Sequence, residues 1–180
     1  MFKHTTLLFL VLTLSAQQTR REIVNSSSNP ADDAKPGSAA VPDAYAIPGR
    51  FDSVLVLRFK YDTDLLAGIE KLVKQHKVRD AVILSAMGSV RNYHVHQVSN
   101  RTFPPKDTFV KDPTGPADIL GMNGYIIGGR VHAHITLSNP DKAFGGHLEP
   151  GTNVFTFAVV TLGILSDNVD LSKVDDRNYR

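Results

Sequence analysis

The 180-residue chain contains no cysteine. Disulfides and thiolate metal ligands are therefore excluded, and so is a lipid-modified cysteine anchor. It also lacks a charge excess, since 20 Lys and Arg stand against 18 Asp and Glu. No basic run exceeds the pair Arg20 and Arg21, so the sequence does not advertise the clustered cations that bind phosphate backbones. Nucleophile motifs of the G-x-S-x-G type are missing. The glycines at 121, 124, 128 and 129 match neither a phosphate loop nor a dinucleotide fingerprint.

What is present begins with an N-terminal pattern. Lys3 supplies a positive start, Leu7 to Leu12 is an unbroken apolar run, and Leu14, Ser15 and Ala16 form a small-residue ending before Gln17. The run is far shorter than the roughly 20 apolar residues of a membrane-spanning helix. Residues 1–16 therefore read as a secretory signal peptide, and the protein is expected to be secreted or periplasmic after its removal. That removal takes away only Lys3, leaving 19 basic residues against 18 acidic ones. Residues 17–49 are rich in Ser, Asn, Asp, Ala and Pro, and read as a disordered linker.

The domain is expected over residues 50–165, with a polar, loose tail over 166–180. Val54 to Phe59 reads as a strand. Leu65, Leu66, Ile69, Leu72 and Val73 then recur at helical spacing behind a cap at Asp62 or Thr63. Ala81–Ala86 and Val90–Val98 suggest two strands of a hairpin. Residues 99–117 hold four prolines and read as a long loop. Tyr125–Leu137 is strand-like, with Val131, Ala133, Ile135 and Leu137 on one face and His132, His134 and Thr136 on the other. Val154–Leu165 is the last apolar strand. One helix among mostly strands makes an α+β domain.

The chemistry concentrates in GGRVHAHITLSNPDKAFGGHLEPG. Alternate residues of a strand share a face, which places His132 and His134 side by side, about 7 Å apart along the backbone. A Gly-flanked loop at Gly145 and Gly146 can bring His147 to the same point. Three neutral imidazoles suit a divalent transition metal, zinc first among them, with a coordination position left open. Glu149 and Asp141 are candidate fourth ligands. Glu149 is also a candidate catalytic base for water activated by such a metal, or a solvated loop carboxylate. His94 and His96 form a second H-x-H that could support the first site from behind, form a second metal pair or lie on the surface; without a third ligand nearby in sequence the surface reading is favoured. His76 closes the lysine-rich helix, where a positive charge is favourable.

The stretch VHAHITLSNPDKAFGGHLEPGTNVFTFAVV resembles the plants-and-prokaryotes-conserved (PPC) domain, in which an H-x-H strand precedes a Gly-Gly-His-Leu turn and a hydrophobic strand. The segment from RFDSVLVLRF to MGSVRNYHV is similar to the family's opening strand, helix, strand and Gly-Ser turn, so the resemblance spans about residues 50–165. It implies a mostly antiparallel twisted sheet with one main helix, assembly as a homotrimer, and a metal held by the matching His132, His134 and His147. The chain departs from the family in having no AT-hook, in carrying an export signal, and in lacking a glutamate in FTFAVVTLG. Three functions follow as expectations: a metal-binding small-molecule module or metalloenzyme, a DNA-binding protein as the family label suggests, or a structural or ligand-sensing trimer. Near-neutral charge and export count against nucleic acid as the partner.

Overall fold

The computed structural model describes residues 21–27 and 38–174. The signal-peptide segment 1–16 and the end of the tail from residue 175 lie outside them. The strands are β1 (Glu22–Ser27), β2 (Phe51–Lys60), β3 (Ala81–Val90), β4 (Tyr93–Val98), β5 (Lys106–Asp112), β6 (Ala117–Ile127), β7 (Arg130–Ser138), β8 (Ala143–Leu148) and β9 (Val154–Leu165). Among the described residues there is one helix, α1 (Leu65–Gln75), which follows β2. The strands form a single twisted sheet in the order β1-β5-β4-β8-β7-β6-β3-β9-β2, and every pairing is antiparallel. The expected α+β architecture, a mostly antiparallel twisted sheet with one main helix, is the one found.

The helix forms because its apolar residues fall on one stripe. Leu65, Ile69 and Val73 are 0, 0 and 2% exposed, and Lys71 and Lys74 stand outward. The cap is Asp64, just beyond the expected Asp62 or Thr63; its Oδ1 accepts from the Ala67 amide at 3.0 Å. Its Oδ2 accepts from the Gly151 amide at 2.7 Å, so one side chain starts the helix and holds the turn after β8. The inner face of the sheet supplies the rest of one core, including Leu57, Phe59, Ile83, Ile126, Ile135, Leu137, Val160 and Leu162.

Four connections differ from the sequence reading. β3 and β4 do not form a hairpin: β3 lies between β6 and β9, and β4 between β5 and β8. Alternation identifies strands but does not name their partners. The expected long loop contains β5, whose Thr108, Phe109 and Val110 favour extended chain between the flanking prolines and pair with β4. The run from Tyr125 to Leu137 is a hairpin, not one strand. Gly128 and Gly129 turn it with φ of 57° and 80°, which suits the tight two-residue turns that need left-handed backbone. Residues 22–27 of the expected linker form β1, which pairs with β5 at the sheet edge.

The tail is anchored as far as it is described. Val169 and Leu171 are 4 and 5% exposed and pack with Ile127. The Arg79 guanidinium donates to the carbonyls of Asp167 and Val169 at 2.8 and 3.1 Å. Two apolar residues of the tail, Val169 and Leu171, thus find partners that its overall polarity conceals.

Candidate metal centre

Sheet register builds the site. His134 on β7 pairs with His147 on β8, and His147 pairs in turn with His96 on β4. Cross-strand partners share a face, so three imidazoles from three adjacent strands stand in a row. His132, two residues before His134 on the same strand, adds a fourth. The open face carrying them is opposite to the one on which Ala133, Ile135 and Leu137 are buried.

His147 arrives on a strand and not on the expected loop. The two preceding glycines serve the strand pairing. A Cβ on Gly145 would strike the Ile135 carbonyl, and one on Gly146 would strike the His96 carbonyl. Bare backbone at both positions lets β8 lie tightly between β7 and β4.

The ligand atoms of His132, His134 and His147 all lie within 4.8 Å of one another. The His147 ring meets His132 and His134 edge-on, with centroids 4.8 and 5.3 Å away and interplanar angles of 82° and 83°. His132 and His134 are nearly parallel at 5.5 Å. Partial burial, followed by the neighbouring His96, His132 and His134, lowers the pKa of His147 from 6.5 to about 4, against a small opposing effect of Glu149. Burial and the nearby His132 and His96 also lower His134. Both rings are therefore neutral donors near pH 7, the form that a metal requires. The donor set fits a divalent transition ion: three neutral imidazoles with no thiolate among them.

A second group overlaps the first. His96, His147 and Glu149 also have ligand atoms within 4.8 Å of one another. His96 Nδ1 and Glu149 Oε1 are 2.5 Å apart, with the two side chains 22 and 21% exposed. His96 stacks on His147 at 4.5 Å, so it is part of the cluster and not a surface residue. Sequence reasoning missed it because its neighbour His147 lies on a distant strand, and only the β4–β8 register joins them. His94 has a structural role, its Nδ1 lying 2.9 Å from the Pro150 carbonyl. The Glu149 turn is tied to β4: its amide donates to the His94 carbonyl at 3.1 Å. Fully buried Thr152 exchanges hydrogen bonds with the His94 backbone at 2.9 and 3.0 Å. Asp141 is exposed, its amide held by the Asn139 side chain at 3.1 Å, and among the described residues it belongs to neither group.

A cavity of about 490 Å³ opens beside the triad, lined by His132, His134, Asn123, Tyr125, Val82 and Ile127 among others. Its lining combines two imidazoles and one amide with apolar side chains.

An open antiparallel sheet with one helix and a histidine cluster on its free face defines the class. The chain belongs to the family of the Plants and Prokaryotes Conserved (PCC) domain, whose profile matches residues 47–166. Among solved structures, a plant- and prokaryote-conserved protein from Pyrococcus horikoshii is 20% identical, with a TM-score of 0.57 over 69% of this chain and 87% of that one. A metal-containing protein from Archaeoglobus fulgidus is 24% identical, with a TM-score of 0.56 over 68% of this chain and 86% of that one. At these identities the likeness is one of fold. The bifunctional protein GlmU of Synechococcus sp. (strain JA-3-3Ab) is 27% identical over 129 residues, which are 71% of this chain and 20% of that protein. The chain thus spans about a fifth of the length of the curated relatives it matches.

Proposed function

We propose that this PCC-domain protein binds a divalent transition metal, zinc foremost, through His132, His134 and His147, and presents it to a small molecule in the adjoining cavity. The observation that carries this reading is the convergence of three imidazoles, two of them held neutral, from two paired strands. The metal-containing protein of the same fold from Archaeoglobus fulgidus points the same way. When bound, the ion supplies Lewis acidity toward a polar group of the ligand. The chain's own residues do the rest. The strand pairing orients the imidazoles, Val82, Tyr125 and Ile127 offer apolar contact, and Glu149 holds a proton with His96 at one end of the cluster. Chain-wide charge of +2 gives no support to a nucleic-acid partner.

The reading extends to assembly and place of action. Large apolar side chains stand exposed on the open face, among them Val54, Val56 and Met87 at 59, 63 and 59%. Burying this face between copies supports a homotrimer, and the N-terminal pattern of residues 1–16 supports action outside the cytoplasm.

Zinc titration of the metal-stripped protein, with elemental analysis of the loaded form, tests the central claim. Wild type is expected to take up one ion per chain, and His147→Ala to lose it. A His147→Ala variant that keeps full zinc occupancy overturns the three-histidine site.

A further inference from the structure

We propose a second metal position, formed by His96, His147 and Glu149, that shares His147 with the three-histidine site and takes a harder divalent ion such as manganese(II) or iron(II). Its ligand atoms meet the same 4.8 Å separation as the first group. The donor sets differ: three nitrogens in one, two nitrogens and a carboxylate oxygen in the other. Imidazole suits zinc, copper, iron and nickel, whereas carboxylate oxygen shifts preference toward manganese, and two histidines with one carboxylate is the set that holds non-haem iron(II) with positions left open.

The second position is built by the fold. Glu149 sits on a turn held to β4 by its own amide and by Thr152, and to α1 through Asp64. The carboxylate therefore meets His96 from a turn fixed on both sides. The 2.5 Å contact between His96 Nδ1 and Glu149 Oε1 shares one proton between two potential ligands. A cation takes that proton's place once the two atoms separate to about 3 Å, the spacing of neighbouring ligands around an ion at roughly 2.1 Å.

The two positions exclude each other. A neutral imidazole offers one lone pair, so His147 serves either the His132 and His134 side or the His96 and Glu149 side. One chain then holds one ion at a time, and the metal supplied selects the ligands. This goes beyond the three-histidine reading and does not depend on it, because His132 and His134 take no part.

Manganese(II) provides the probe, since its free aqueous ion has a strong electron paramagnetic resonance signal that falls on binding. The metal-stripped full chain carrying His132→Ala and His134→Ala is titrated with manganese(II), with and without Glu149→Gln added, and circular dichroism checks the fold of each. The double variant is expected to bind one equivalent, and adding Glu149→Gln to weaken it at least tenfold. Equal manganese affinity with and without Glu149→Gln overturns the second position. Should the double variant not fold, the single variants Glu149→Gln and His96→Ala give the decision in the otherwise intact chain. Each is expected to lower manganese affinity at least tenfold and zinc affinity less than threefold, and equal losses for the two metals overturn the proposal. Failure of the three-histidine site has its own signature: zinc affinity unchanged by His132→Ala and His134→Ala, whatever manganese does.

Discussion

Strand β7 shows two chemistries on one backbone. On its inner face Ala133, Ile135 and Leu137 are 2, 2 and 0% exposed, sealed in the core with α1. On its outer face His132, His134 and Thr136 border open space, imidazoles from the neighbouring strands and apolar side chains left uncovered. The inner face needs packing, and it tolerates only groups of the right volume. The outer face positions chemistry and is held in place by what lies behind it. Rigid strands fix the spacing of the imidazoles, and the buried alternate residues fix the strands.

The largest separation of the two faces is expected in stability. Leu137→Ala removes a fully buried side chain and should cost about 2–5 kcal/mol in urea denaturation of the metal-free protein. His134→Ala, three positions away on the exposed side, should stay within about 0.5 kcal/mol of wild type in the same assay. A comparable loss from both variants would mean that the outer face is also structural.

The contrast reverses for metal. His134→Ala should reduce zinc affinity by at least the roughly 100-fold that loss of a supporting residue around a metal can cause. Thr136→Ala, the next residue on that face, should leave affinity unchanged, because Thr136 pairs with Gly145 and lies two residues along the strand from the His134–His147 pair. Isothermal titration of the two variants side by side decides the matter.

Much of this division was legible in the sequence and part of it was not. The two-residue period of VHAHITL separates His132 and His134 from Ala133, Ile135 and Leu137 without any structure. The third histidine was legible as a residue but not as a strand residue. Gly145 and Gly146 suggested a loop, whereas they make room for the Ile135 and His96 carbonyls. His96 was hidden because strand order is a long-range property. Forty-four residues separate β4 from β8, and no local pattern says that Val95 faces Leu148 or that His96 faces His147. The absent β3–β4 hairpin has the same cause, since each strand's composition fits several partners. Strand β5 was concealed by the prolines around it, which mark its ends and not its absence.

A third experiment concerns what covers the outer face. The cross-strand row Val54, Gly163, Val82, Tyr125 and His132 links the exposed apolar edge to the metal site. If copies of the chain meet there, Val56→Asp with Met87→Asp should convert a trimer to a monomer in light scattering, with little loss of fold because both positions are exposed in the single chain. A wild-type monomer at micromolar concentration overturns the trimer.

A pH dependence is expected as well, and it sharpens the comparison because between pH 6.5 and 4 it comes chiefly from the histidines of the outer face. In the unfolded chain His147 takes up a proton near its ordinary value of 6.5, and in the folded chain only near about 4. His134 is shifted in the same direction. Between those values the unfolded chain binds more protons, so folded-state stability rises with pH and is lost as pH falls from about 6.5 toward 4. The melting temperature of the metal-free protein should therefore decline across that window. His147→Gln, which carries no titrating ring, should flatten the decline while leaving the fold intact. Zinc competes with protons for the same lone pair, so the loaded protein should hold its melting temperature to lower pH than the metal-free protein. A metal-free melting temperature that is level from pH 6.5 to 4 would show that the cluster accepts protons as readily folded as unfolded, and that the imidazoles are not held neutral by their surroundings.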